Sequence, residues 1–212
     1  MPSIIDYEIT TVARVKDRLA LSQTDVTRDL VLKRLMYSVT QFIERACGGR
    51  RFKRQTIVQE VYDGSESEVS FDRIILKNAP VIAGQTVTVE YNNGTYDSAS
   101  WVAMPTGSIQ SIDLEAGIIY FNGAIPKGKQ NIRISYTAGY LIDYANEFDG
   151  ALHTLPFDIG DLADRLITRL FKKRESEGKS IEGFQTSQIT WGSFVEAHDR
   201  EIIANYSRSN FV

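Results

Sequence analysis

The stretch ERACGGRRFKRQT, residues 44–56, begins with helical periodicity and ends with strand periodicity. Between the two lie Gly48 and Gly49 and four basic residues, Arg50, Arg51, Lys53 and Arg54. Glycine reaches the left-handed backbone of a helix C-cap without a steric penalty, so the pair marks the end of a helix. The basic run has two readings, a nucleic-acid patch or a joint between substructures. Successive residues of a strand face opposite sides, so Arg51 and Lys53 share one face and Phe52 and Arg54 the other. No basic stripe forms in that arrangement, and the first reading is a joint. Both readings hold together if this edge faces a channel.

Upstream of the glycines the pattern is helical. Residues 10–21, TTVARVKDRLAL, place Val12, Val15 and Leu19 on one face, with Thr10 or Thr11 as cap. The polar break SQTD precedes a second helix over residues 26–47. Its apolar stripe is Leu32, Leu35, Met36, Val39, Phe42, Ile43 and Ala46.

Downstream the period becomes two. QTIVQEVYDG reads as a strand closed by Asp63-Gly64, and FDRIILKNAPV as a second, ended by Pro80, which has no N–H to donate. QTVTVEYNNG alternates Val87, Val89 and Tyr91 against Thr86, Thr88 and Glu90 before Asn93-Gly94. SIQSIDLEAGIIYFNG reads as a hairpin turning at 115–117. QNIRISYTAGY puts Ile132, Ile134 and Tyr136 on one side.

Helix then returns in TLPFDIGDLADRLITRLFKKRES. Pro156 sits near the first turn, Asp158 and Asp161 at the positive end, and Lys172, Lys173 and Arg174 at the negative end. After Gly178 the period is lost until HDREIIANYSRSNF, which suits a short last helix with Ile202, Ile203 and Tyr206.

The fold class expected is therefore α+β, a small helical bundle carrying an inserted antiparallel all-β domain and a C-terminal arm. Residues 1–52 and 139–178 form the helical body, 53–138 the β domain and 179–212 the arm. The helices flanking the β domain bury their apolar faces against each other, so the insertion needs flexible turns. Gly48 and Gly49 serve the exit and Gly139 the return.

Composition narrows the function. With 212 residues, 42% hydrophobic and 24% charged, the chain can bury a core of its own. A net charge of −3 argues against a general DNA-coating protein, which carries a basic footprint. Cys47 is the single cysteine, which suits a reducing compartment and excludes an internal disulfide. The start, MPSIIDYEITT, lacks a basic segment followed by an apolar one, and no run approaches the roughly 20 apolar residues of a membrane span. A cytoplasmic protein, or one that leaves the cytoplasm inside an assembly, is expected, with no membrane partner.

Catalytic chemistry finds little support. His153 and His198 have no metal-ligand spacing around them and read as solvated surface residues. No GxSxG occurs, and GGRR follows a helix and lacks the lysine-serine ending of a phosphate loop. Cys47 reads as a small apolar residue of a packed last turn. The run DGSESE, residues 63–68, reads as a solvated hairpin tip rather than a calcium loop, and Trp101 as a core or rim residue rather than a sugar platform. Neither an enzyme nor a cofactor is expected.

The order of these pieces resembles the head–tail connector (adaptor, head-completion) proteins of tailed bacteriophages. TTVARVKDRLAL is similar to that family's opening helix, and RLMYSVTQFIERACGGRRF to its second helix with a Cys-Gly-Arg stop before an aromatic. LKNAPV, GIIYFNG, IRISYTAGY and LPFDIGDLADRLITRLF match the remaining landmarks in order. The resemblance implies a structural virion protein, a ring of probable dodecameric symmetry that extends the DNA channel. Its partners would be further copies of itself, the portal protein, and a stopper or tail-completion protein, with genomic DNA passing through unread. Location would be the head–tail interface of the virion, and the host cytoplasm before assembly. The arm would reach a neighbour through Phe184, Ile189, Trp191, Phe194, Ile202 and Tyr206, since buried aromatics dominate interface energetics. Arg50, Arg51, Lys53 and Arg54 would be channel-facing. The competing reading is a small DNA-binding module using the 50–54 cluster and Lys172 to Arg174. A third reading, an enzyme or carbohydrate-binding module on the β domain, rests on Trp101.

Overall fold

A computed structural model describes residues 8–64, 73–95, 98–105, 107–123, 125–177 and 194–207. The chain divides into two compact units, one of residues 1–53 with 141–212 and the other of residues 54–140. Among the described residues there are helices in the first and two antiparallel sheets in the second, an α+β protein without a closed barrel.

In the helical unit, α1 (Val12–Arg18) is capped by the Thr11 hydroxyl, which accepts from the Arg14 N–H at 3.3 Å. Seven residues cannot hold a helix in water by their own hydrogen bonds. Side chains pin α1 instead: buried Thr10 and half-buried Arg14 both donate to Asp164 of α3 (Phe157–Glu177). Helix α2 (Asp29–Ala46) starts later than the apolar spacing predicts. The Asp25 carboxylate accepts the Thr27 N–H at 2.9 Å and its hydroxyl at 2.6 Å, closing a local turn where a helix would have begun.

The buried stripe of α2 is Leu32, Met36, Val39, Thr40 and Ile43. At its end the Gly49 N–H donates to the Glu44 carbonyl at 2.8 Å, and Gly48 and Gly49 both have left-handed φ, +82° and +80°. A Cβ would be strained at either. Helix α3 buries Ile159, Leu162, Ala163, Leu166, Ile167, Leu170 and Phe171, the stripe its sequence predicts. The last helix, α4 (Ala197–Tyr206), packs on α3 and opens with a capping box between Glu196 and Asp199.

In the β unit, one sheet has the order β1-β7-β3-β4 and the other β2-β6-β5. The strands are β1 (Gln55–Tyr62), β2 (Arg73–Ile75), β3 (Thr88–Asn92), β4 (Trp101–Ala103), β5 (Ile109–Asp113), β6 (Ile118–Phe121) and β7 (Ile132–Ala138). Strand β7 lies between β1 and β3 and alternates buried with half-buried positions along its length, so Ile132, Ile134 and Tyr136 face the core. Ile74, Ile119 and Phe121 of the second sheet join Val89, Ile132 and Ile134 of the first in a single apolar cluster. Strand β4 is a feature the sequence reading missed. Three residues are too few to display a period, but Asn92 Oδ1 accepts the Gly94 and Ser100 N–H groups at 2.9 Å each and folds Trp101 back beside Asn92.

Candidate functional site

Of the basic run after the glycines, Arg50, Arg51 and Lys53 belong to the helical unit and Arg54 opens the β unit. Glu44, buried in the last turn of α2, accepts the Phe52 N–H at 3.3 Å and lies 3.1 Å from Arg51. Burial raises the Glu44 carboxyl above its ordinary value, against the pull of Arg51 and the Phe52 amide. Arg50 is only 7% exposed, its guanidinium over the Phe52 ring and donating to the Tyr206 carbonyl at 3.3 Å. Within its own unit Arg50 points inward, because Phe52 and Tyr206 take up its stem and head. Lys53 is half-buried and Arg54 exposed. The second basic run, Lys172 to Arg174, is exposed, with Lys173 Nζ 4.5 Å from the Phe194 ring centre.

The C-terminal segment is described over residues 194–207, and Phe184, Ile189 and Trp191 lie outside the described residues. Phe194 and Ile202 are buried, and the Tyr206 hydroxyl donates to Asp158 of α3 at 2.9 Å and 3.1 Å. Phe194 and Ile202 are therefore packed inside their own unit, and Tyr206 is half-buried against α3. Asp199, 0% exposed, receives Arg169 and lies 3.5 Å from Arg165, while Arg169 also donates to the Phe194 carbonyl at 2.9 Å. The free Cys47 thiol is buried against the Ile203 carbonyl, and burial pushes it up to about 11, which makes it an inert packing residue.

His153 is buried, a correction to its reading as a surface residue. Its Nδ1 accepts the Asp143 N–H at 3.1 Å and its ring lies 4.8 Å from that of Tyr144, so it organises the turn before α3. Tyr144 in turn donates to the Ile9 carbonyl at 2.7 Å and occupies the space a Cβ on Gly160 would need. His198 is exposed, as expected.

In the β unit the closest approach to reactive chemistry is Glu60, whose Oε2 accepts from the hydroxyls of both Tyr62 and Tyr136. A bulge in β1, with Gln59 at φ +55°, turns Glu60 to that position. Burial and the neighbouring carboxylate hold Tyr62 far above its usual range and push Tyr136 up to about 12. Both phenols stay protonated as donors, so the cluster is a polar clamp and supplies no base or nucleophile. Trp101 carries the Arg133 guanidinium 4.6 Å over its ring, and Arg133 grips Glu90 at 2.6 Å and 3.0 Å, so that face is no open sugar platform. A groove of ≈ 400 Å³ in this unit is lined by Val87, Val89, Met104 and Ile109 with few converging polar groups. Among the described residues no cluster of His, Cys, Asp or Glu could hold a metal, and no helix is long and apolar enough to cross a membrane.

Buried Glu44, Asp164 and Asp199 were missed by sequence reasoning. The available signal was an acid beside the apolar stripe of an amphipathic helix, as Asp164 stands beside Ala163 and Ile167.

Among the described residues the buried polar side chains thus join one element to another. A family model described as head completion protein matches residues 8–209. The chain belongs to that family, the structural head–tail connectors of tailed bacteriophages. No curated protein matches it. Among solved structures, the fold is similar to a chain in the neck of a native GTA particle computed with C12 symmetry, with a TM-score of 0.56 at 14% identity, covering 98% of this chain and 91% of the other. It is also similar to a chain in the neck of an empty GTA particle computed with C6 symmetry, with a TM-score of 0.51 at 17% identity, covering 94% and 93%.

Proposed function

We propose that this chain forms a ring, dodecameric in the filled particle, that joins the portal vertex to the tail or to a stopper protein and extends the DNA channel. The observation that carries the reading is the family match, which runs through both units from residue 8 to residue 209. The role is mechanical and non-enzymatic, exercised at the head–tail interface after a soluble stage in the host cytoplasm. Two features support it. A net charge of −3 suits a conduit, because each cation–phosphate pair would add salt-dependent affinity and hold the DNA that must slide. The similar chains come from particle necks solved with rotational symmetry, where neighbouring copies must present different surfaces to each other.

In this reading Phe184, Ile189 and Trp191 anchor the arm on a neighbouring protein, and the α4 segment with Phe194, Ile202 and Tyr206 is the base from which it leaves. Gly48, Gly49 and Gly139 (φ +100°) shape the chain near where it passes between units. The rival DNA-binding reading loses two of its cations, since Arg50 is buried and Arg51 is paired with Glu44. Imaging the purified chain with its portal tests the proposal: rings coaxial with the portal are expected. A chain that stays monomeric beside a correctly assembled portal overturns it, and steep salt-dependent DNA binding by that monomer would favour the rival.

A further inference from the structure

The helical unit exposes two apolar patches that no part of its own described structure covers. One lies along α2 and the turn before it: Val26, Leu30 and Tyr37, with Leu30 62% exposed. Leu30 and Tyr37 are two turns apart on one side of the helix, nearly opposite the buried stripe through Leu32, Met36, Val39 and Ile43. The other is the corner that leads into α3: Phe148, Leu152 and Phe157, with Phe148 91% and Phe157 57% exposed. The Phe148 and Phe157 rings lie 6.1 Å apart, so this corner is already assembled in the single chain.

We infer that these patches are the two halves of one head-to-tail contact, the α2 face of each copy seating on the Phe148–Phe157 corner of the next. The inference rests on the ring reading above and names its subunit contact. Three observations lead to it.

The first is charge. Exposed Lys33 and Arg34 flank the α2 patch. Residues 141–161, which carry the corner, include Asp143, Glu147, Asp149, Asp158 and Asp161 and no lysine or arginine. Arg14 and Arg18 answer Glu147 and Asp161, and exposed Asp149 stands next to Phe148 at the surface. A second copy turned so that like patch meets like would set Lys33 and Arg34 against themselves, or acid against acid. The crossed pairing sets Lys33 and Arg34 against the acids of the corner, whereas a corner meeting its own image sets acid against acid, and like-charge juxtaposition is what excludes wrong partners.

The second is distance. Arg28, just before α2, pairs with Glu175 at 2.8 Å and lies over Phe171, so the α2 patch stands beside the far end of α3. Phe157 is the first residue of that helix. The 14 residues from Phe157 to Phe171 span about 21 Å at 1.5 Å per residue, so one copy cannot close its patches on each other.

The third is symmetry. A contact between two different patches propagates from copy to copy, and it closes when the rotation per step divides a full turn. A patch that meets its own image stops at a dimer.

The test uses the full chain in its assembled ring with Leu30→Cys and Phe148→Cys together, treated with a short bifunctional maleimide. Native Cys47 is buried and is the same in every variant. A ladder of covalent dimers, trimers and larger species is expected on a denaturing gel, while rings bearing either substitution alone run as monomers. Rings that form but give no ladder overturn this contact and leave the ring reading standing. Covalent dimers from a single-cysteine variant overturn the head-to-tail arrangement. A chain that makes no ring, alone or on its portal, overturns the ring reading and the contact with it. As a second measurement, Leu30→Asp, which faces an acidic corner, is expected to reduce ring yield at least tenfold while the monomer keeps its circular dichroism. Wild-type ring yield from that variant counts against the contact.

Discussion

Inside the helical unit sit three carboxylates, Glu44, Asp164 and Asp199, each beside at least one arginine. Inside the β unit the core is Ile, Val, Leu and Phe with Tyr136, and Glu60 at its margin is met by phenols rather than guanidinium groups, with Lys77 no nearer than 3.7 Å. The contrast follows from what the backbone can do. Strand pairing fixes register through directional hydrogen bonds, so the β side chains need only fill space. Helices satisfy their backbone internally and can slide or roll on one another, and α1 and α4 are too short to be held by burial alone. Charged side chains aim them. Arg14 ties α1 to α3 through Asp164, and Arg165 and Arg169 tie α4 to α3 through Asp199.

The most damaging way to probe that contrast is Asp199→Ala. Removing one partner leaves Arg169 and Arg165 facing a void where a fully buried acid stood, a loss of about 4 kcal/mol for a buried pair. Chemical denaturation should report it, and amide exchange over residues 197–206 should rise with it. A loss below about 1 kcal/mol would mean that apolar contacts, not charge, hold α4.

Next in size is Ile134→Ala at the centre of β7, which deletes a fully buried side chain and costs about 3 kcal/mol through lost transfer energy and the cavity left behind. The two losses differ in kind as well as size. The Ile134 loss should be the same at pH 5 and pH 8, because no charge is involved. Denaturation midpoints at both pH values read the Ile134 loss, and a strongly pH-dependent Ile134→Ala would break the contrast.

What the sequence made legible divides along the same line. Period and punctuation are local, so the stop at Gly48 and Gly49, the stripe of α3 and the alternation Ile132-Ile134-Tyr136 could all be read directly. The start of α2 was misread because a single side chain, Asp25, diverted a local amide. Polar joints depend on residues far apart in the chain. Thr10 meets Asp164, and Arg50 meets the Tyr206 carbonyl, and no spacing rule brings such pairs together. For the same reason His153 was taken for a surface residue. The arm is read from its large apolar and aromatic residues, and packing covers two of them, Phe194 and Ile202, within their own unit.

The finest test of the contrast is its dependence on acid. Burial raises the Asp164 carboxyl above its ordinary value, while the Thr10 hydroxyl and Arg14 pull the other way, and Glu44 is raised for the same reason. In the β unit half-buried Glu90 is lowered by its hydrogen bonds from Arg133. The signs are opposite. A carboxyl raised on folding is ionised in both states at neutral pH, and there the folded state carries the cost of its burial. As pH falls through the raised value, the folded protein takes up a proton before the unfolded chain does. Stability from that group therefore grows until the unfolded value, about 3.9 for aspartate, is passed. A lowered carboxyl such as Glu90 contributes stability above its unfolded value, and that contribution is lost as pH falls through the lowered one. Between pH 7 and about 4.5 only the first process runs. Asp164→Asn removes the titration at a cost that does not vary with pH, so only the slope is informative. Measured by thermal denaturation, wild type should gain on the variant as pH falls across this window. A gap that stays flat or narrows would place Asp164 among ordinary paired surface acids, and the helical unit would then differ from the β unit in geometry but not in electrostatics.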